Sequence, residues 1–429
     1  MPARFMPNSD NQAIKLPRMR LVRQHFNAAA KADIKAQIDE QWPVVRRQLN
    51  LPGGSTIAVC VGSRGIVDLA EIVRTVVARL KQIGLKPFIT SAMGSHGGGC
   101  AEGQAKILAG LGINETGVGA PIRVSMDVVC LGRQEGISLY FDKLAYEADG
   151  IVVINRIKAH TDFVGPTESG LIKMLAVGLG NRVGAEYCHR SAIEMDMYEV
   201  VSRVGRALID KAPVLFGVGI VENVEHQISA LRLIQPQDIE RTEIELLKQA
   251  KENMPGLPLD EVDLLIVDEI GKEISGAGLD PIVTGRVPGI FAMQREHPKV
   301  TRIFIRDLTA ASKGNAIGIG QADFTTQRLV EKIDKAATAV NCIAGCCPEE
   351  AKIPIACGND RDAILSAVAT IRPCPVAGLK IVRIKNTRDL EEIYISEACE
   401  SHLKKEVAGQ TEYAPFDFDD DGNLRAKGW

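Results

Sequence analysis

The sequence predicts an α/β protein: two α/β domains with mainly parallel sheets and the active site in the cleft between them. Three observations carry that expectation. Short apolar, β-branched runs alternate with amphipathic helical stretches, the pattern of parallel sheets covered on both faces. Forty glycines stand against only 4% aromatic residues, as many tight strand-to-helix turns require. The 429 residues are too many for one ordinary core, and proline-bearing MPGLPLDE (254–261) reads as a hinge.

Taken in order, STIAVCV (55–61) is a first strand, followed by the loop GSRGI and an amphipathic helix over 67–84. PFITSA (87–92) is a second strand, with the loop MGSHGGG and a helix over 100–112 after it. IRVSMDVV (122–129) reads as a third strand and DGIVVIN (149–155) as a fourth with a fully apolar centre. A helix over 190–210, a strand at 214–221 and a polar helix over 235–254 complete the first half. Beyond the hinge the pattern restarts with strands at 262–270 and 301–307. Helices over 325–340 and 359–371 and a strand at 379–386 follow. The expected domains are therefore 1–256, carrying catalysis and cofactor binding, and 257–429, with a tail that packs back on the first.

A formal net charge of −3 and the lack of any long basic block argue against nucleic acid as a partner. No segment approaches the ~18 apolar residues of a membrane span. The polar N-terminus lacks the apolar core of a signal peptide, so a cytoplasmic location is expected. Cys60, Cys100, Cys130 and Cys188, scattered singly, fit reduced thiols.

Arg64, His96 and His160 each lie just beyond the carboxyl end of an expected strand, where open α/β sheets gather ligands. Singly, each reads as readily as a capping or surface residue; three from separate loops make a site. GSHGGG (94–99) opens a helix, so Gly94, Ser95, Gly97 and Gly98 can form an anion nest suited to phosphate. Between Asn155 and Arg190 stand His160, Lys173 and His189, thirteen and then sixteen residues apart in glycine-rich sequence. Lys173, in apolar SGLIKMLAVGL, is either a lysine snorkelling from a helix edge or a covalent anchor. His189 alone would be a surface histidine. GLGNRVG (178–184) has one residue too many for a dinucleotide fingerprint and follows no clean strand.

The stretch from His160 to His189 resembles the nickel-pincer lactate racemase family. A histidine, a glycine-rich segment ending in the lysine of SGLIK, and a second histidine sixteen residues on follow that family's order. MGSHG and GSRG resemble its other histidine loop and its arginine loop. The resemblance spans most of residues 13–395 and is strongest at 55–190. It implies a 2-hydroxy acid racemase or epimerase whose nickel-pincer nucleotide is carried on Lys173, with His189 as nickel ligand. It further implies His96 and His160 as an alternating acid/base pair while hydride passes from the α-carbon to the cofactor's pyridinium ring. Arg64 would hold the carboxylate, a task that suits its planar fork, and proteins that synthesise the cofactor would be partners. The segment from His160 to Lys173 is three residues longer than the family pattern, which points to a different hydroxy acid. For the family's second-domain lysine the sequence offers Lys272 and Arg286, and the second domain up to residue 395 contains no tryptophan to match the family's.

Two other readings keep the fold: an NAD(P)-dependent oxidoreductase with a free nucleotide at the GSHGGG nest, and a non-catalytic cofactor- or ligand-binding protein. Cys342, Cys346, Cys347 and Cys357 lack the CxxC spacing of metal clusters and read as packed thiols. DFDDDG (417–422) opens like a calcium loop but has Gly428 where the bidentate glutamate belongs, so it reads as a polar turn. Asp162, Glu168 and Asp196 are candidate carboxylate supports for the histidines.

Overall fold

Runs that are apolar on every residue must be buried on both faces, and that is how the first sheet is built. The computed structural model describes residues 15–26, 29–63, 65–161, 163–287, 297–371, 373–404 and 407–425. They form two units: residues 27–254, and residues 255–429 joined by the first 26. The strands are β1 (Met19–Gln24), β2 (Thr56–Val61), β3 (Lys86–Ser91), β4 (Val128–Gln134), β5 (Ile137–Asp142), β6 (Gly150–Arg156), β7 (Val214–Glu222) and β8 (Ile228–Ile234). From the second half come β9 (Glu261–Ile270), β10 (Lys299–Leu308), β11 (Phe324–Thr326), β12 (Ile355–Cys357), β13 (Ile381–Ile384), β14 (Glu392–Ser396) and β15 (Val407–Gly409).

In the unit of residues 27–254 the sheet order is β3-β2-β6-β7-β8, parallel except for β8. Ile57 through Val61 and Ile151 through Ile154 are buried, as their unbroken apolar runs require. Helix Leu69–Gln82 turns Ile72, Val73, Val76, Val77 and Leu80 inward at three- and four-residue spacing. Helix Ile34–Arg46, not anticipated from the sequence, is capped by Asp33 and buries Ile34, Ile38, Trp42 and Val45 in the same core. From β2 the chain steps to β3 on one side, then returns to β6 on the other. The winding therefore reverses between β2 and β6, and that crevice is where such sheets bind ligands.

Two expectations for this unit need correction. IRVSMDVV is no third strand of the sheet: Ile122 makes one bridge to Ile89, and Val128 begins a separate two-stranded hairpin, β4–β5. The stretch 190–210 is not one helix, because Asn181–Ser191 ends first and Asp196 caps a new one, Met197–Lys211.

The other unit has an eight-stranded sheet, β12-β11-β10-β9-β13-β14-β1-β15, parallel from β12 to β13 and antiparallel beyond. Strand β1 pairs with β14 and β15, so the first residues belong here and not with 27–254. The C-terminal tail packs on this same unit: Ala414 bridges to Met19, and Leu424 donates its N–H to Asp360 and accepts from Arg306. Arg306 and Arg383 both clamp Asp268. Burial would raise that carboxyl, but the two guanidiniums hold it below the ordinary carboxylate range. The expected helix 325–340 is a strand and two helices: Thr325 and Thr326 bond to the carbonyls of β10, and Asp334 caps Lys335–Ala344. The DFDDDG turn is closed by Asp419, which accepts from Asp421 and Asn423. No helix among the described residues is long and apolar enough to cross a membrane.

Candidate functional site

The loop after β3 is fixed from three sides. Gly94 is buried with φ +57, and its N–H donates to Gly178 O at 2.9 Å. A Cβ there would stand 3.1 Å from Val177 O and 3.3 Å from Ala185 Cβ, so glycine is what lets the loop approach. Gln104, fully buried in helix Ala101–Gly110, donates to Gly94 O and His96 O at 2.9 and 3.3 Å. It also accepts from Ser91 Oγ at 2.6 Å. The loop presents an exposed His96 whose Nδ1 meets Ser63 Oγ, from the loop after β2. Gly97, Gly98 and Gly99 all have left-handed φ, and the Gly97 and Gly98 amides take no partner among the described residues. The Gly94 amide, expected to face a ligand, is instead spent on Gly178; Ser95 is half-buried beside it.

Across the crevice, Asn155 near the end of β6 donates to Gly170 O at 2.9 Å. Gly62 lies against it, since a Cβ on Gly62 would stand 3.1 Å from Asn155 Oδ1. The segment 158–169 leaves and returns at a neck of two bonds, Lys158 N–H to Ser169 O (2.9 Å) and the reverse (3.1 Å). Buried Phe163, Thr167 and Glu168 fill it. Glu168 accepts the His160 backbone N–H at 2.6 Å with one oxygen and pairs with Lys251 Nζ at 2.6 Å through the other. Phe163 stacks on the His160 ring with 4.4 Å between centroids. So held, His160 puts Nε2 2.5 Å from Lys173 Nζ. A hydrogen bond between two nitrogens needs one lone pair and one proton, so this contact cannot join an ammonium to an imidazolium, and at least one of the two groups is neutral.

Lys173 stands on a single α turn, Leu171–Lys173, that widens at once into a π turn, Met174–Gly178. Every residue of 171–178 except Lys173 is buried, so the amine emerges from an apolar ridge. Such π turns recur at functional sites. The first two amides of the turn, of Leu171 and Ile172, donate to one oxygen of Glu243 at 2.7 and 3.0 Å. Glu243 is wholly buried in helix Ile239–Glu252, and burial pushes its carboxyl up to about 7.

His189 is half-buried on helix Asn181–Ser191. Asn181 anchors that helix, donating to Asp142 Oδ2 at 2.8 Å from a left-handed backbone of φ +49. Ala185 packs on Gly94, Cys188 on Ala176 O, and His189 is one turn beyond Ala185 on the same side. Among the described residues no three His, Cys, Asp or Glu side chains are placed to hold a metal by themselves.

The crevice thus gathers His96, His160, Lys173 and the glycine loop, with the His189 helix packed on the Lys173 ridge. Arg64 and Asp162 lie outside the described residues. Lys272 and Arg286 belong to the other unit, where Lys272 meets Asn341. Arg286 is not available to a substrate. Its guanidinium donates to the carbonyls of Gln321, Val300 and Thr301 and pairs with Asp323 at 2.7 Å. Asp196 caps a helix and supports no histidine. The sequence reading missed Ser63, Gln104, Glu243 and Lys251. Only Ser63, adjacent to Arg64, offered a signal; Glu243 and Lys251 act on residues more than seventy positions away.

No protein-family model matches the chain, and no curated protein matches it. A solved structure of the lactate racemase apoprotein from Thermoanaerobacterium thermosaccharolyticum is similar over 72% of this chain and 76% of that one, at 17% identity and a TM-score of 0.44. That is a distant likeness of chain trace and lends nothing to the role of any residue.

Proposed function

We propose that the protein is a racemase or epimerase of a 2-hydroxy acid, working through a nickel-pincer nucleotide attached at Lys173. The observation that carries this reading is the 2.5 Å contact of the Lys173 amine with His160, in the crevice that also holds the His96 loop. An amine beside a base on an apolar ridge suits covalent attachment. The open Gly97 and Gly98 amides suit the phosphate of a mononucleotide. His189 would be one protein ligand to a metal whose other donors the cofactor brings. The residues present therefore fit the group.

The side chains divide the work. Ser63 engages Nδ1 of His96 and orients the ring, and His96 would exchange a proton with substrate. Acylation of the Lys173 amine would remove its basicity and release His160 Nε2, which then takes the hydroxyl proton or returns it. Two imidazole bases, one from each loop, let the reaction run in either direction. The cofactor, when bound, would supply the hydride acceptor that no side chain can provide. Arg64 would hold the substrate carboxylate. A free nucleotide at the GSHGGG nest, as an oxidoreductase would use, leaves the contact of the Lys173 amine with His160 without a role, so that reading is less well supported.

Intact-mass and metal analysis of protein from a host shown to make the cofactor tests this reading. Nickel and a mass increment on the peptide containing Lys173 are expected. Unmodified Lys173 without nickel would overturn it.

A further inference from the structure

Helix Ile239–Glu252 touches the site at two backbone stations. Lys251 holds Glu168, which in turn holds the His160 N–H. Two turns earlier on the same side, Glu243 takes the amides of Leu171 and Ile172. A single helix thus braces both members of the Lys173–His160 pair through main-chain groups. The second oxygen of Glu243 is buried with no hydrogen-bond partner. A carboxylate in that state is costly, and an apolar residue would fill the space at less cost. Gly170 keeps the approach open, since a Cβ there would stand 2.3 Å from that oxygen. On the opposite side, Gly205 of helix Met197–Lys211 lets Ile172 pack closely. The turn is gripped by packing on one side and by a carboxylate on the other.

The geometry points to Glu243 as a positioning residue for the Lys173 amine, acting through the two amides that open its turn. A three-residue α turn has too few bonds of its own to fix a side chain. Anchoring its first two N–H groups sets the direction in which Lys173 leaves the backbone, and so whether Nζ reaches His160. The inference rests on Lys173 as the reactive amine of the proposed function, yet it concerns the unloaded protein and is tested there.

The test is competitive acetylation of full-length protein from a host without the cofactor, with acetic anhydride from pH 6 to 10 and peptide mass spectrometry. Exposed Lys35 serves as internal standard. In the wild type, contact with His160 displaces the Lys173 profile from that of Lys35. Glu243→Gln retains an accepting oxygen and keeps the displaced profile. Glu243→Leu loses it, and Lys173 then follows Lys35. If the leucine variant does not fold, Glu243→Asp replaces it: the carboxylate is kept but withdrawn from the amides, and the profile again collapses onto that of Lys35. A wild-type Lys173 profile in Glu243→Leu, or in Glu243→Asp where leucine does not fold, overturns the inference. Loss of nickel or activity in the loaded enzyme bears on the proposed function and leaves this outcome unchanged.

Discussion

Nζ of Lys173 lies 2.5 Å from Nε2 of His160, although thirteen residues and a closed loop separate them along the chain. The loop neck between Lys158 and Ser169 and the α turn at Leu171 bring the two side chains together. Replacing His160 with glutamine should return the Lys173 amine to ordinary lysine behaviour. It should also lower turnover by about 100-fold or more, the usual weight of a general acid or base. Acetylation profiles and steady-state kinetics on the same preparation check both.

The Glu168–Lys251 pair is asymmetric, with the carboxylate side chain 0% exposed and the lysine 39%. Lys251→Met strands a buried charge and should cost about 3 kcal/mol. Glu168→Gln leaves a lysine that can turn to water and still accepts the His160 N–H, so about 1 kcal/mol is expected. Denaturant melts of the two variants, in that order of loss, test the assignment.

Glu243 should give stability a pH dependence opposite to that of most carboxyls. Burial pushes its folded value up to about 7, above the 4.5 of an ordinary glutamate, so the folded state holds the extra proton between them. Stability from this group is full below about pH 4.5 and is lost as pH rises toward and past 7. Glu243→Gln removes that slope and should be relatively more stable at pH 8, by about 3 kcal/mol from the size of the shift. Parallel melts at pH 5 and pH 8 measure it.

Gly98 in the nest and Gly103 in the helix behind it should respond differently to alanine. Gly98 has open space around a Cβ but φ +72, so Gly98→Ala costs about 1 kcal/mol of backbone strain. At Gly103 a Cβ would stand 1.8 Å from Gly97 O, a backbone atom. Gly103→Ala must displace the nest, with a stability loss of about 2 kcal/mol or more and weaker binding of a nicotinic mononucleotide by calorimetry.

Arg286→Met should reduce stability by about 2 kcal/mol, because it removes a donor from the carbonyls of Gln321, Val300 and Thr301 and takes from Asp323 its guanidinium partner. KM should stay near the wild-type value.

The sheet edge was readable in advance because fully buried strands are unbroken apolar runs rich in β-branched residues, and Ile57–Val61 and Ile151–Ile154 are such runs. Placing Arg64, His96 and His160 just past strand ends needed only those runs. The pairing of strands was less legible: Val128 and Val129 have a strand's composition whether they join the sheet or a hairpin. Thr325 and Thr326 likewise sit before a helix and give no local sign that their hydroxyls bond to β10. The supports of the site were hidden for a different reason. Glu243 reads as one more acid on a polar helix, and only tertiary packing turns it inward against Leu171.

Strand β1 also fixes when the protein can be completed. Arg23 meets Glu392 across 369 residues of chain, with the whole of 27–254 threaded between. At ribosomal rates of roughly 5–20 residues per second, β1 waits about 20–75 s for its partner. The inserted unit is fully synthesised well before then. A nascent chain halted near residue 300 should therefore carry a folded crevice and an unpaired N-terminal strand, a bare edge that invites a chaperone.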